Sequence, residues 1–141
     1  MQKGGCQCGS VSYELVGDPM ITYACHCTDC QTGSGSAFSI TTLIDASQTT
    51  IIKGEIREDE FHLNGNDLTR VRCSQCGTGL WYYGKAMPQI LALKPGTLDD
   101  TSQVSPAAHV WTRSAQTWVT FQKGVPQFAE QPSIEELMAL R

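Results

Sequence analysis

The chain has 141 residues, a formal net charge of −4 and 17% charged residues, below the roughly one quarter usual for globular proteins. That length suits one domain with its own core, so residues 1–141 are expected to form a single domain, and the charge balance argues against a nucleic-acid partner. No apolar run reaches the length of a membrane span and the opening "MQKGGCQCGS" lacks the apolar centre of a signal peptide, so a cytoplasmic chain without membrane association is expected.

In chain order, the first feature is the pair Cys6 and Cys8 in "GGCQCGS". Residues i and i+2 of an extended chain point to one side, so both sulfurs can face one ion, while Gly4, Gly5 and Gly9 permit sharp turns that bring peptide N–H groups to them. "SVSYELV" alternates Val11, Tyr13 and Leu15 with polar residues and reads as a strand. "YACHCTDC" then carries Cys25, Cys27 and Cys30, with His26 pointing away from its neighbours in an extended segment, behind the sulfurs or at the surface. The glycines of "QTGSGSA", residues 31–37, read as a loop that lets a ligand approach the backbone.

Strand patterns follow in "AFSITTLI", "TTIIKGEI", "DEFHLN", "LTRVRC", "GLWYYG", "QILALK", "AHVW" and "TWVTF". Lying close together without helical crossovers, they are expected to pair antiparallel in a mainly β fold. Among them "CSQCGTG" sets Cys73 and Cys76 at the spacing of a zinc knuckle, with Gly77 placed for a positive φ. His62 reads as a surface strand residue, and Trp81, Tyr82 and Tyr83 as rings alternating inward and outward. His109 and Trp111 read as core or as the lining of a substrate pocket. A short helix closes the chain in "PSIEELMALR", with Ser133 as N-cap, Glu136 as its capping-box partner, and Ile134, Leu137 and Met138 as the apolar face.

The seven cysteines fall into groups of two, three and two, and an odd count in a reducing compartment fits metal binding or redox chemistry better than a disulfide framework. Cys6, Cys8, Cys73 and Cys76 together make a closed four-cysteine set of the kind that holds structural zinc. Cys25, Cys27 and Cys30 remain, three ligands with an open fourth position, which is how catalytic zinc is usually held. Two alternatives stand beside this: two of the central trio could complete an outer pair, or the pairs could cycle through disulfides. The second is weakened by the expectation that "CHCTDC" does not sit at the strand-to-helix junction of a βαβ unit.

"CQCGS", "CHCTDCQTGSGSAF", "CSQCGTGL", "LKPGTLDD" and "HVW", in this order, resemble the glutathione-dependent formaldehyde-activating enzyme family, with similarity from Cys6 to Phe128. The resemblance implies a zinc-organised antiparallel β-tent fold. It implies structural zinc on Cys6, Cys8, Cys73 and Cys76, and a second zinc, able to stand empty, on the catalytic trio Cys25, Cys27 and Cys30. It further implies a carbon–sulfur lyase that condenses formaldehyde, or a related aldehyde, with glutathione, or another small thiol, to an S-hydroxymethyl adduct. In that reading glutathione sulfur takes the open position, is held as thiolate and adds to the aldehyde carbon. Gln31, directly after the trio, and Arg72, before the knuckle, stand where family members often carry an arginine and an aromatic residue, so charge placement near the metal differs. The alternative function is a non-catalytic zinc-stabilised β module that binds a protein partner, as in the related centromere protein V group.

Overall fold

The computed structural model describes residues 1–63 and 65–141. Its elements in chain order are β1 (Gln2–Gly5), β2 (Ser12–Leu15), β3 (Ile21–Cys25), α1 (Thr28–Ser34), β4 (Ser39–Asp45), β5 (Thr49–Lys53), β6 (Ile56–Leu63), β7 (Asn66–Cys73), β8 (Gly79–Gly84), β9 (Met87–Leu93), β10 (Ala108–Val110) and α2 (Ile134–Met138). The chain divides into two compact units, residues 1–19 with 42–103, and residues 20–41 with 104–141.

In the first unit β1, β2 and β5 form an antiparallel sheet, β1 meeting β2 from Gln2 opposite Leu15 to Gly5 opposite Ser12. The strands β6, β7, β8 and β9 make an antiparallel meander, and the Thr42–Asp45 part of β4 pairs with β9. The alternation read in "SVSYELV" turns Val11, Tyr13 and Leu15 into a core with Ile44, Val71, Leu80, Trp81, Leu91 and Leu93. Each large side chain buried this way contributes about 1.5–3 kcal/mol. Tyr13 meets Trp81 edge to face at 5.5 Å, and its hydroxyl donates to Thr97 Oγ1 at 2.6 Å because Thr97 gives its own proton to the Lys94 carbonyl. In "LWYYG" Leu80 and Trp81 are both buried while Tyr82 and Tyr83 are half-buried, so the rings do not alternate strictly. His62 is exposed on β6 as expected, beside Asp67 at 3.0 Å, and Asn64 at the end of "DEFHLN" lies outside the described residues.

In the second unit β10 runs parallel to β3, with His109 opposite Ala24 and Val110 opposite Cys25. This parallel pair is an exception to the antiparallel pairing expected, which β1–β2, β2–β5, β4–β9 and the β6–β9 meander follow. The chain between the two strands is far longer than the dozen or so residues a parallel crossover requires. "TWVTF" is not a strand either: Val119 N–H closes a turn on the Gln116 carbonyl at 3.0 Å, and the Trp118 indole N–H turns back to Gln116 Oε1 at 2.7 Å. The closing helix forms with both capping-box bonds between Ser133 and Glu136. It buries Leu137 and leaves Ile134 exposed, so the apolar face is narrower than the pattern suggested.

"TTIIKGEI" is two strands rather than one, because Gly54 breaks it with φ +92°. A β-carbon there would collide with the Ser10 carbonyl oxygen and hold a backbone conformation that L residues disfavour. Gly54→Ala is therefore expected to lose at least about 2 kcal/mol of stability, read as a lowered urea midpoint with unchanged slope. An unshifted midpoint would show that the turn yields freely.

Candidate metal centres

Cys6 and Cys8 sit in a turn between β1 and β2, not on an extended strand: Gly9 N–H donates to the Cys6 carbonyl at 3.0 Å and Cys6 N–H to the Val11 carbonyl at 3.1 Å. Of the three glycines expected to make sharp turns there, Gly9 does so with φ +75°, while Gly4 and Gly5 belong to β1. Cys73 ends β7, and Gly77, with φ +75° as its spacing suggested, returns its N–H to the Cys73 carbonyl at 3.0 Å. These two turns bring the sulfurs of Cys6, Cys8, Cys73 and Cys76 within 4.8 Å of one another. Cys6 and Cys8 are 3.5 Å apart and Cys8 and Cys73 3.9 Å. Four thiolates about 2.3 Å from a tetrahedral ion stand roughly 3.8 Å apart, so the set fits such an ion.

Donors converge on the same sulfurs. Val11 N–H reaches Cys6 Sγ at 3.2 Å, and the N–H groups of Gln75 and Cys76 reach Cys73 Sγ at 3.4 and 3.5 Å. The Ser10 hydroxyl lies 3.1 Å from both Cys8 Sγ and Cys73 Sγ, and the Thr78 hydroxyl 3.1 Å from Cys76 Sγ. Burial opposes ionisation of Cys6, but the Val11 N–H and the Ser10 hydroxyl outweigh it and bring its pKa down to about 5. The hydroxyl and N–H of Thr78 bring Cys76 down to about 7. Ser10 and Thr78 were not singled out in the sequence, although each stands two residues after a ligand-type cysteine in "CQCGS" and "CSQCGT".

The second cluster forms where β3 runs into α1. Cys25 ends the strand, and Cys27 is the N-cap of the helix, its sulfur accepting from Cys30 N–H at 3.3 Å. The trio therefore lies at a strand-to-helix junction, while the strand that runs parallel to β3 is the distant β10. Three mutually close sulfurs, rather than a pair, are what favour a metal. "QTGSGSA" is helical as far as Ser34, and Gly35 ends the helix with φ +63°. The sulfurs of Cys25, Cys27 and Cys30 lie within 4.8 Å of one another, two of the residues buried and Cys30 half-buried. Packed together they oppose each other's ionisation: the hydrogen bond with Cys30 and then burial push Cys25 up, and burial pushes Cys27 up. A divalent cation among them reverses that balance, so this donor set also fits a thiophilic ion.

His26, expected behind the sulfurs or at the surface, is fully buried, with Nε2 at 2.9 Å from Nδ1 of His109. Gln31, where an arginine is common in relatives, donates from its amide to the carbonyls of His26 and Ser114, both at 2.9 Å. Arg72 pairs with Asp59 at 3.0 Å in the first unit. Trp111 is half-buried beneath the Arg113 guanidinium and holds φ +56°, a conformation strained for a bulky residue.

The fold and the two clusters define a small, mainly β protein with two cysteine sites able to hold metal. Residues 1–114 match the family described as "Glutathione-dependent formaldehyde-activating enzyme", and the chain belongs to that family. It is 25% identical over 124 residues to a Halomonas elongata protein named "Putative glutathione-dependent formaldehyde-activating enzyme", an alignment covering 83% of this chain and 78% of that one. A crystal structure of a Rhodobacter sphaeroides protein has the same fold, with a TM-score of 0.56 at 19% identity over 89% of this chain and 98% of the other. No helix among the described residues is long and apolar enough to cross a membrane.

The Ser10 hydroxyl is well placed to hold the four-sulfur cluster in its ionised state. Ser10→Ala is expected to weaken zinc binding there about tenfold, read by competition with a chromophoric chelator. Equal affinities for the variant and the parent chain would remove the hydroxyl from the site.

Proposed function

We propose that this chain is a zinc-dependent carbon–sulfur lyase acting on glutathione or a similar thiol and on formaldehyde or a related aldehyde. The observation that carries the reading is the asymmetry of the two clusters: four sulfurs in one, and three in the other with Cys30 half-buried. Cys6, Cys8, Cys73 and Cys76 would hold zinc for structure, contributing on the order of 10 kcal/mol to a net stability of about 5–15 kcal/mol. Cys25, Cys27 and Cys30 would hold the second zinc and leave one position for substrate. When bound, that zinc supplies a soft, Lewis-acidic dock at which a thiol is held deprotonated.

The chain's own groups do the rest. Buried Cys25 and Cys27 anchor the site from behind, and the half-buried side at Cys30 leaves the approach for substrate. The Gln31 amide, tied to the His26 and Ser114 carbonyls, fixes the first turn of α1 and with it the spacing of Cys27 and Cys30. It brings no charge to the site, so an anionic tripeptide would have to be recognised through neutral donors. Addition of a thiol to an aldehyde moves one proton from sulfur and puts one on oxygen, so a group that carries protons is required as well.

Native mass spectra of the purified chain, with and without glutathione, test this reading. Two zinc ions, and a glutathione adduct that disappears in Cys27→Ser, are the expected result. One zinc ion and no adduct would replace the enzyme with a partner-binding module held by the four-cysteine site.

A further inference from the structure

The four sulfurs of the first cluster are not equivalent. Each of its two turns contributes one buried and one exposed cysteine. Cys6 is 9% exposed and Cys73 0%, whereas Cys8 and Cys76 are exposed, and no other cysteine of the seven is. Packing fixes the buried pair: both belong to the apolar core, where Val11 N–H reaches the Cys6 sulfur and the N–H groups of Gln75 and Cys76 reach that of Cys73. The exposed pair sits at the rims of the turns. Each member is followed directly by a glycine of positive φ, Gly9 after Cys8 and Gly77 after Cys76, and the space a β-carbon would face at either glycine is open to 4 Å. A small solute can thus approach both sulfurs, which lie within 4.8 Å of each other.

Oxidation of a thiolate follows its access to solvent, so attack falls on Cys8 and Cys76 before the buried pair. Joining two sulfurs is more demanding, because they must close to about 2.05 Å with a near-perpendicular torsion. A surface side chain can rotate to do so, while a sulfur locked in a close-packed core cannot move without opening a void. The shortest approach, Cys6 to Cys8 at 3.5 Å, joins residues of one turn and uses a core sulfur. Cys8 to Cys73 at 3.9 Å uses the other core sulfur. Cys8 and Cys76 are the pair that lies outside the core. They come from different turns, so a bond between them closes the same long loop that a metal in the cluster would close.

We infer that Cys8 and Cys76 form an oxidation site at which hydrogen peroxide exchanges a metal clip for a disulfide clip. At one of the two thiolates an S–O bond forms, the peroxide O–O bond breaks and hydroxide leaves, giving a sulfenic acid. The other thiolate attacks that sulfur, the S–S bond forms, the S–O bond breaks and a second hydroxide leaves. Two electrons pass from the sulfur pair to the peroxide. The donor set falls from four sulfurs to two, too few for a closed tetrahedral site, so zinc held there is released. The two turns stay tied, now covalently, and a thiol reductant restores the four-sulfur set.

Treatment of the reduced, zinc-loaded chain with a small excess of hydrogen peroxide tests the site without reference to turnover. Zinc release is followed with a chromophoric chelator, remaining thiols are alkylated, and the disulfide is mapped by peptide mass. The expected product carries a Cys8–Cys76 disulfide, loses zinc in step with its formation, and oxidises about tenfold faster at these two cysteines than at the other five. A disulfide on another pair, first oxidation at Cys30 of the second cluster, or an oxidised chain that keeps all its zinc would overturn the site. Cys76→Ser is expected to stop at a sulfenic acid on Cys8, captured by a dione probe; a folded variant that yields none would count against Cys8. Where Cys76→Ser fails to fold, the mapping of the parent chain decides. The urea midpoint of the oxidised chain is expected to lie above that of the reduced, metal-free chain, because the covalent clip restricts the unfolded loop. A midpoint at or below it would overturn the exchange of one clip for the other.

Discussion

The first unit is organised by the convergence of four sulfurs from turns 65 residues apart, Cys8 approaching Cys73 to 3.9 Å. Thiolates at such distances repel, so the cluster holds only if something offsets their charge. The protein offers the N–H groups of Val11, Gln75 and Cys76 and the hydroxyls of Ser10 and Thr78, and a cation in the centre would supply the remainder. Cys6 and Cys73 are at the same time members of the apolar core with Val11, Tyr13 and Trp81, so the candidate metal site and the hydrophobic packing are built on one set of residues. Closing so long a loop costs several times RT in chain entropy, and a clip at its mouth recovers that cost most effectively where the loop is long.

The three-cysteine cluster is assembled differently. It depends on local structure, a strand ending at Cys25 and a helix capped by Cys27, so that its sulfurs come from neighbouring residues and no long loop has to close. Cys30 N–H caps the Cys27 sulfur, while mutual repulsion with burial keeps Cys25 and Cys27 reluctant to ionise. A cation bound there would have to offset that reluctance itself.

Much of this was legible in the sequence because it rests on short-range rules. The grouping of the seven cysteines, the alternation of Val11, Tyr13 and Leu15, and the capping box at Ser133 are all decided within a few residues. What escaped depends on partners distant in the chain or on competition between local rules. The helix at Thr28–Ser34 hid behind two glycines because a cysteine, not a usual N-cap, starts it. "TWVTF" has strand composition, yet its turn is held by Gln116, which lies outside the pattern. His26 and His109 were each noticed alone. Their meeting required knowing that β10 runs parallel to β3, and a sequence with strands this short gives no sign of that pairing.

A strained turn lies two residues from His109, one ring of the buried histidine pair. On one side β10 pairs with β3; on the other, His109 N–H donates to the Pro126 carbonyl at 2.9 Å and Phe128 N–H to the His109 carbonyl at 2.8 Å. Two residues later the chain takes the left-handed turn at Trp111, and the N–H groups of Thr112 and Arg113 bond to the carbonyls of Phe128 and Ala129 while Arg113 pairs with Glu130. A strained residue of this kind costs about 1–3 kcal/mol and persists only where its surroundings over-determine it, as this strap does. With its backbone held from both sides, the His109 ring has little freedom to leave His26. Residues 126–130 lie beyond the residues 1–114 that match the family, so part of the backbone pairing that holds His109 comes from outside that match.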